Sequence, residues 1–334
     1  MRISGVLDKD IQNTTFAVID FETTGLTPGT DRVVEVSIIR LDPDGASTTV
    51  LDTLVNPDRR MAATEIHGIT DADVADAPRF GDIVDDFVGA IAGCMVASYN
   101  IYFDIKFLQY ELARAGVDAV PPHLCVMYLR PMLGLGDRCR LVEACRQHGI
   151  DHADAHTALA DTRAACELLS LCLSTIRDKR IRRFEDLARL KSYKFLKSFG
   201  NAPLESAGAG GGADERRAHK SRNLAKGDPS LAPSEPARIL QEKEESDRAA
   251  MHAYWDALKT VLCDLRVTDD EVAHLLQTKR ELGLKDEQTR VLHARAFISV
   301  LTQFSADQWL DDKECSKLRK LRSCLSRAGW APGD

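Results

Sequence analysis

Asp20 and Glu22 stand two residues apart at the end of the apolar run FAVIDF, just before a Thr-Thr-Gly turn. On an extended strand such residues point to the same side, so one rigid element offers two carboxylates at the rim of the core. Further acids follow in separate places. Asp104 lies at the start of a helix-patterned stretch, SYNIYFDIKFL, that follows an apolar strand-like run, and in DAHTALADT His156 precedes Asp161 by five residues. A lone DxE pair carries little weight in a chain with 28% charged residues, because it arises by chance. Four acids brought from three elements to one sheet edge are a different matter, since they repel one another strongly unless cations neutralise them. Each acid also has a plainer reading as an N-cap or a solvated face, most directly Asp104 beside its helix start.

Positioning these groups requires a sheet. The runs FAVIDF, VVEVSIIRL and TTVLDTLV are separated by turns at Pro28-Gly29 and Asp42-Pro43-Asp44-Gly45, which predicts an antiparallel meander. After it the pattern predicts a helix over Phe80–Ile91, a strand over 94–98, a helix over 103–115, a strand near 124–127, and helices around Leu141 and over 157–172. Alternation of strand and helix adds parallel strands to the meander, giving an α/β mixed sheet with helices on its faces. The basic stretch RDKRIRRFEDLARLKSYKFLKSFG reads either as an extended phosphate track or as a solvated helix lying over this domain.

Asn201 begins a stretch containing AGAGGGA, DPS and APSEP, too poor in large apolar residues to build a core, so a flexible linker is expected over 200–236. Beyond it Met251, Trp255, Leu258, Leu262 and Leu265 repeat at helical spacing. The domain plan is thus 14–199, the linker, and a separate all-α domain over 237–331. Within the latter, DLRVTDDE from Asp264 is echoed by DQWLDDKE from Asp307. Their acids have a metal-ligand reading, but Thr268 with Glu271, and Asp311 with Glu314, also have capping-box spacing.

The chain has 334 residues, 44% of them hydrophobic, which suffices for a sizeable core and points to two domains. Its formal net charge of -7 gives no global signature of nucleic-acid binding, so polyanions must be met by local basic patches or bound cations. Nine cysteines, odd in number and without a CxxC pair, read as reduced, packed thiols of a cytosolic protein. The N-terminal MRISGVLDKDIQN lacks the apolar region of a signal peptide, and no apolar run approaches the about 20 residues of a membrane span. A cytoplasmic protein without membrane association is expected.

The motifs taken together resemble the DEDDh, or DnaQ-like, family of 3′-to-5′ exonucleases over about residues 14–176. The first family motif is matched by Asp20-Phe21-Glu22-Thr23-Thr24-Gly25, the second by Asn100 through Phe103-Asp104, and the third by His156 to Asp161; Asn56-Pro57 and the run IHGIT at Ile66 match further features. The histidine five residues before the last acid selects this subfamily over its sister group, which has a tyrosine where this chain has Thr157. One departure is plain: Ser98-Tyr99 stands where the family usually has Gly-His. The helical region resembles TerB-like domains built of helical hairpins.

The resemblance implies an RNase H-like fold and a two-metal phosphodiesterase site. Asp20 would bridge two divalent cations, Glu22 and Asp161 would complete the first, Asp104 would support the second largely through water, and His156 would be the general base. The chemistry agrees, because two cations about 3.5–4 Å apart shield phosphate charge and stabilise the leaving oxygen, and a near-neutral imidazole suits proton abstraction. All-oxygen ligation suits Mg²⁺ or Mn²⁺ better than Zn²⁺. Leu26 and Phe103 have the wedge types that stack on terminal bases, though core packing explains both as well. Thr23 and Thr24 are candidate backbone donors to the terminal nucleotide, and Asn100 a further substrate contact. His67 reads as a loop-ordering residue, and His123, His148 and His152 as surface or packing histidines. The implied substrate is a nucleic acid 3′ end, DNA ahead of RNA, with the helical domain as a site for a protein partner. An exoribonuclease, or an end-binding interaction protein with the helical domain as its functional half, stays open.

Overall fold

The computed structural model describes residues 5–152, 157–205, 235–262, 268–304 and 312–334. In chain order the elements are β1 (Phe16–Thr23), β2 (Val33–Leu41), β3 (Ser47–Leu54), α1 (Thr64–His67), α2 (Asp71–Val74), α3 (Phe80–Ile91), β4 (Met95–Ser98), α4 (Ile101–Arg114), β5 (His123–Cys125), α5 (Val126–Leu133), α6 (Leu141–His148), α7 (Ala158–Asp178), α8 (Phe184–Leu190), a 3-10 segment Lys194–Gly200, α9 (Glu235–Leu262), α10 (Asp269–Glu281), α11 (Asp286–Phe304) and α12 (Asp312–Arg327). They form two compact units: Met1–Glu22, Val33–Arg59 and Ala72–Ser221 in one, Thr23–Arg32, Arg60–Asp71 and Arg222–Asp334 in the other.

The first unit is built on a five-stranded sheet of order β3-β2-β1-β4-β5. β2 and β3 pair antiparallel with a shift in register at Ile38/Ile39, while β4 pairs parallel with both β1 (Val18 opposite Ala97) and β5 (Ser98 opposite Cys125). This is the mixed α/β sheet that the sequence pattern predicts. β1 is central, and Phe16 to Ile19 are fully buried, as a strand covered on both faces requires. The edge strand β3 begins with exposed Ser47, Thr48 and Thr49. Helix α7 packs on β2 and against α5 and α6; α3 packs on β2, β3 and α4.

Two expectations need correction. The strand near 124–127 stops at Cys125, and Val126 opens α5, which ends at Gly134 in a left-handed conformation with φ 79°. A short apolar run does not separate strand from buried helix by periodicity. The basic stretch is not one helix: α7 runs on to Asp178, the chain turns at Arg180 with φ 58°, and α8 and the 3-10 segment follow. Phe184, Phe195 and Phe199 are buried, with the Phe184 and Phe199 rings 5.2 Å apart, so aromatic packing fixes its path. Arg189 pairs with Glu185 and Asp186 on its own helix, which favours the covering role over a phosphate track.

In the second unit, α9 to α12 bury Tyr254, Trp255, Leu258, Leu275, Leu292, Leu321 and Leu325 in one cluster that also contains Ala63 and Ile66. Thr268 caps α10: its hydroxyl accepts from the Glu271 amide at 3.2 Å and Glu271 Oε2 accepts from the Thr268 amide at 2.9 Å, the capping-box reading of those acids. The echoed pair at Asp311 and most of the expected linker lie outside the described residues. The described cysteines are thiols outside any disulfide, and burial pushes those of Cys145 and Cys172 up to about 12 and that of Cys166 to about 11, as befits packing groups. Among the described residues no helix is long and apolar enough to cross a membrane.

Candidate active site

β1 delivers Asp20 and Glu22 at the point where its fully buried run ends. Asp161 arrives on the first turn of α7, whose start is held in two ways. Thr157 Oγ1 accepts from the Ala160 amide at 3.2 Å, and the buried Glu35 carboxylate on β2 accepts from the Ala158 amide at 3.1 Å. Orphan donors at the helix start are thereby satisfied, and the sheet fixes where Asp161 stands. The result is that Asp20, Glu22 and Asp161 each place an oxygen within 4.8 Å of the other two, with Glu22 and Asp161 buried.

Three carboxylates that close, two of them out of water, repel one another, and a bound cation would relieve that repulsion. Among the described residues no histidine or cysteine joins the group, so its donors are hard oxygens of the kind that suit a divalent cation. The residues present therefore suit the divalent cations implied by the motifs.

Asp104 is the fourth residue of α4 and is buried, but it is not one of these three. It is not an N-cap either, since Asn100 holds that position. Its Oδ2 accepts a 2.5 Å hydrogen bond from Ser98 Oγ at the end of β4. Ser98 is thus a partner of the predicted site residue Asp104 that sequence reasoning missed, although its place in the departure from Gly-His marked it. The other half of that departure, Tyr99, is structural: its hydroxyl donates to the Cys139 carbonyl at 2.7 Å, and burial holds the phenol well above its usual pKa. Beside it the fully buried Arg130 bonds Leu135 O at 3.0 Å, Asp137 O at 3.2 Å and Gln147 Oε1 at 2.7 Å, tying down the loop between α5 and α6.

His156 lies outside the described residues. The histidine beside the acids is His152, whose Nε2 is 2.6 Å from Asp161 Oδ1 with the side chain 7% exposed. This corrects its reading as a surface or packing residue; nine positions of sequence separate the pair, and no helical or strand spacing links them. His123 and His148 do pack, against Pro121 O at 3.0 Å and Leu135 O at 3.3 Å. His67 orders its loop, its Nε2 donating to Ala62 O at 3.1 Å while Nδ1 accepts from the Ile69 amide at 3.0 Å.

Among the substrate candidates, Thr23 Oγ1 donates to Gly25 O at 2.6 Å, and the Thr24 amide donates to Arg32 O at 2.9 Å, so that amide already has a partner. Leu26 is half-buried against the helical cluster. Phe103 is buried, its ring 5.0 Å from that of Phe107. Among the described residues the buried Oδ1 of Asn100 has no hydrogen-bond partner.

Fold and site define an α/β protein with three carboxylates, able to hold a metal ion, gathered at the carboxyl end of its central strand. The profile of the exonuclease family RNase_T matches residues 17–169. The DNA polymerase III subunit epsilon of Treponema pallidum is 31% identical over 169 residues, 49% of this chain and 78% of that protein. The chain belongs to this exonuclease family. The PolC-type DNA polymerase III of Thermotoga petrophila is 26% identical over 198 residues, 58% of this chain but only 14% of that protein's length. Among solved structures, E. coli exonuclease I in complex with a dT13 oligonucleotide is similar at 20% identity with a TM-score of 0.43, over 50% of this chain and 42% of that one. The family match ends before the helices from α8 onward.

Proposed function

We propose that this chain is a 3′-to-5′ exonuclease that removes nucleotides one at a time from the 3′ end of single-stranded or frayed DNA, with two divalent cations, Mg²⁺ or Mn²⁺, and serves proofreading or repair in the cytoplasm. The observation that carries this is the gathering of Asp20, Glu22 and Asp161 within 4.8 Å, from the first and third family motifs. Asp20 and Glu22 offer their oxygens from one strand and Asp161 from α7, while Ser98 holds Asp104 for the second ion. Bound cations would supply positive charge against the phosphate and its leaving oxygen. His156 takes the proton of the attacking water. Leu26, Phe103, Asn100 and the Thr23-Thr24 backbone place the last nucleotides.

Relatives named for DNA polymerase III subunits favour DNA over RNA, and the helices beyond the family match offer a protein partner a surface of their own. The test is digestion of 5′-labelled DNA and RNA oligonucleotides of one sequence, single-stranded and in blunt duplex, in Mg²⁺. A ladder of 5′-labelled products shortening by single nucleotides, fastest on single-stranded DNA, is expected. Release of the labelled 5′ mononucleotide as first product, or faster loss of RNA, contradicts the proposal.

A further inference from the structure

The two stretches Thr23–Arg32 and Arg60–Asp71 belong to the same compact unit as the C-terminal helices. Thr23 directly follows Glu22 in the chain, so whatever fixes Thr23–Arg32 constrains the chain as it leaves the metal strand. Within this unit Asp31 is a buried carboxylate satisfied from three directions: the Thr27 amide at 3.1 Å, Thr24 Oγ1 at 3.3 Å and Ser299 Oγ at 2.6 Å. A serine hydroxyl has one hydrogen, and the short bond to a charged acceptor takes it. Its lone pairs are then free to accept, and the Leu26 amide donates to it at 3.2 Å with Thr27 Oγ1 at 2.9 Å. One buried hydroxyl on α11 therefore joins Leu26, Thr27 and Asp31. Gly25 is required under this arrangement, because a side chain there would collide with the Asp31 carboxylate.

The second stretch is held by the same helices. Ala63 and Ile66 are buried in the cluster of Tyr254, Trp255 and Leu258, and Arg295, one turn before Ser299 on α11, pairs with Glu65 at 2.5 Å. Both anchors thus come from one helix face at i and i+4.

We propose that the helical unit is a built-in positioning element for the substrate loop, with Ser299 acting through Asp31 and Leu26, and Arg295 acting through Glu65. This rests on the exonuclease reading, in which Leu26 meets the terminal nucleotide. Positioning of this kind sets binding of the end and leaves the metal centre and the chemical step alone.

The experiment compares the full chain with its Ser299→Ala and Arg295→Met variants. It reads steady-state hydrolysis of a 5′-labelled single-stranded DNA oligonucleotide across Mg²⁺ concentrations, and amide hydrogen exchange. Each variant is expected to raise KM about tenfold with kcat within about twofold and an unchanged Mg²⁺ dependence. Exchange over residues 24–32 should rise about tenfold in Ser299→Ala, the loss of a charged hydrogen bond, with residues 16–19 unaffected. Unchanged exchange, or raised exchange with unchanged KM, overturns the proposal, as does a fall in kcat with shifted Mg²⁺ dependence. Absence of hydrolysis by the wild-type chain overturns the exonuclease reading instead, and exchange then still decides whether Ser299 orders the loop.

Discussion

Ser98 Oγ donates to Asp104 Oδ2 at 2.5 Å, joining the last residue of β4 to the first turn of α4. A hydroxyl bonded to a carboxylate is a strong, orienting contact, and it engages one oxygen of Asp104 while fixing the direction of the other. Partners of metal-binding groups commonly set affinity for the ion as strongly as the groups themselves. Ser98→Ala should therefore raise the Mg²⁺ concentration needed for half-maximal hydrolysis by about 10-fold or more, with the rate restored at high Mg²⁺. A Mg²⁺ titration of initial rates checks this, and an unshifted midpoint would show that Asp104 takes no part in holding an ion.

The two histidines make separable predictions. His156→Ala should lower the rate at saturating Mg²⁺ by about 10²–10⁴-fold, the loss of a general base. His152→Ala removes a partner of Asp161 and should weaken apparent Mg²⁺ affinity about tenfold, with the saturated rate little changed. Measuring both variants over a range of Mg²⁺ assigns the roles; a collapse of the saturated rate in His152→Ala alone transfers the base to His152.

The sheet was legible because it depends on short-range pattern, whereas Asp161 was placed beside Asp20 and Glu22 only by the resemblance of its motif, since their gathering is a contact between distant positions. β-branched runs with Gly/Pro turns mark β1 to β3, and a two-residue spacing puts Asp20 and Glu22 on one side of a strand. Thr268 and Glu271 likewise announced their cap through a spacing of three. What was not legible depends on contacts between distant positions. Val126 to Leu133 is apolar enough for strand or helix, and burial under α7 decides for helix. His152 meets Asp161 across nine positions of sequence that no helical or strand spacing links. Ser299 and Asp31 stand 268 positions apart, and a serine on a mixed helix face carries no sign of a carboxylate waiting for it.

A pH effect on stability is expected from His293 in the helical unit. Its Nδ1 donates to the Trp330 carbonyl at 2.6 Å and its Nε2 accepts from the Tyr254 hydroxyl at 2.8 Å, so the ring is held neutral. Burial, with the charge of Lys279 in addition, pushes its pKa down to about 4 against the bond to Trp330. Between pH 6.5 and about 4 the unfolded chain then binds a proton that the folded chain refuses, so stability falls as pH falls through this window. The full effect is on the order of 3 kcal/mol. Urea unfolding at pH 7 and pH 4.5 measures it, and His293→Gln should flatten the difference. An equal pH dependence in that variant would place the effect elsewhere.

The central claim is that Asp20, Glu22 and Asp161 form the cation centre at which 3′ ends are hydrolysed. Its most direct test is the initial rate of shortening of a 5′-labelled single-stranded DNA oligonucleotide by the wild-type chain and by Asp20→Ala, in Mg²⁺ and in chelator. The wild-type chain should act only with the cation. Asp20→Ala should keep the wild-type circular dichroism, since removing one of three crowded acids relieves repulsion, and should be inactive. A folded Asp20→Ala variant that keeps more than about a tenth of the wild-type rate, a loss of less than about 1.4 kcal/mol in transition-state stabilisation, contradicts the account.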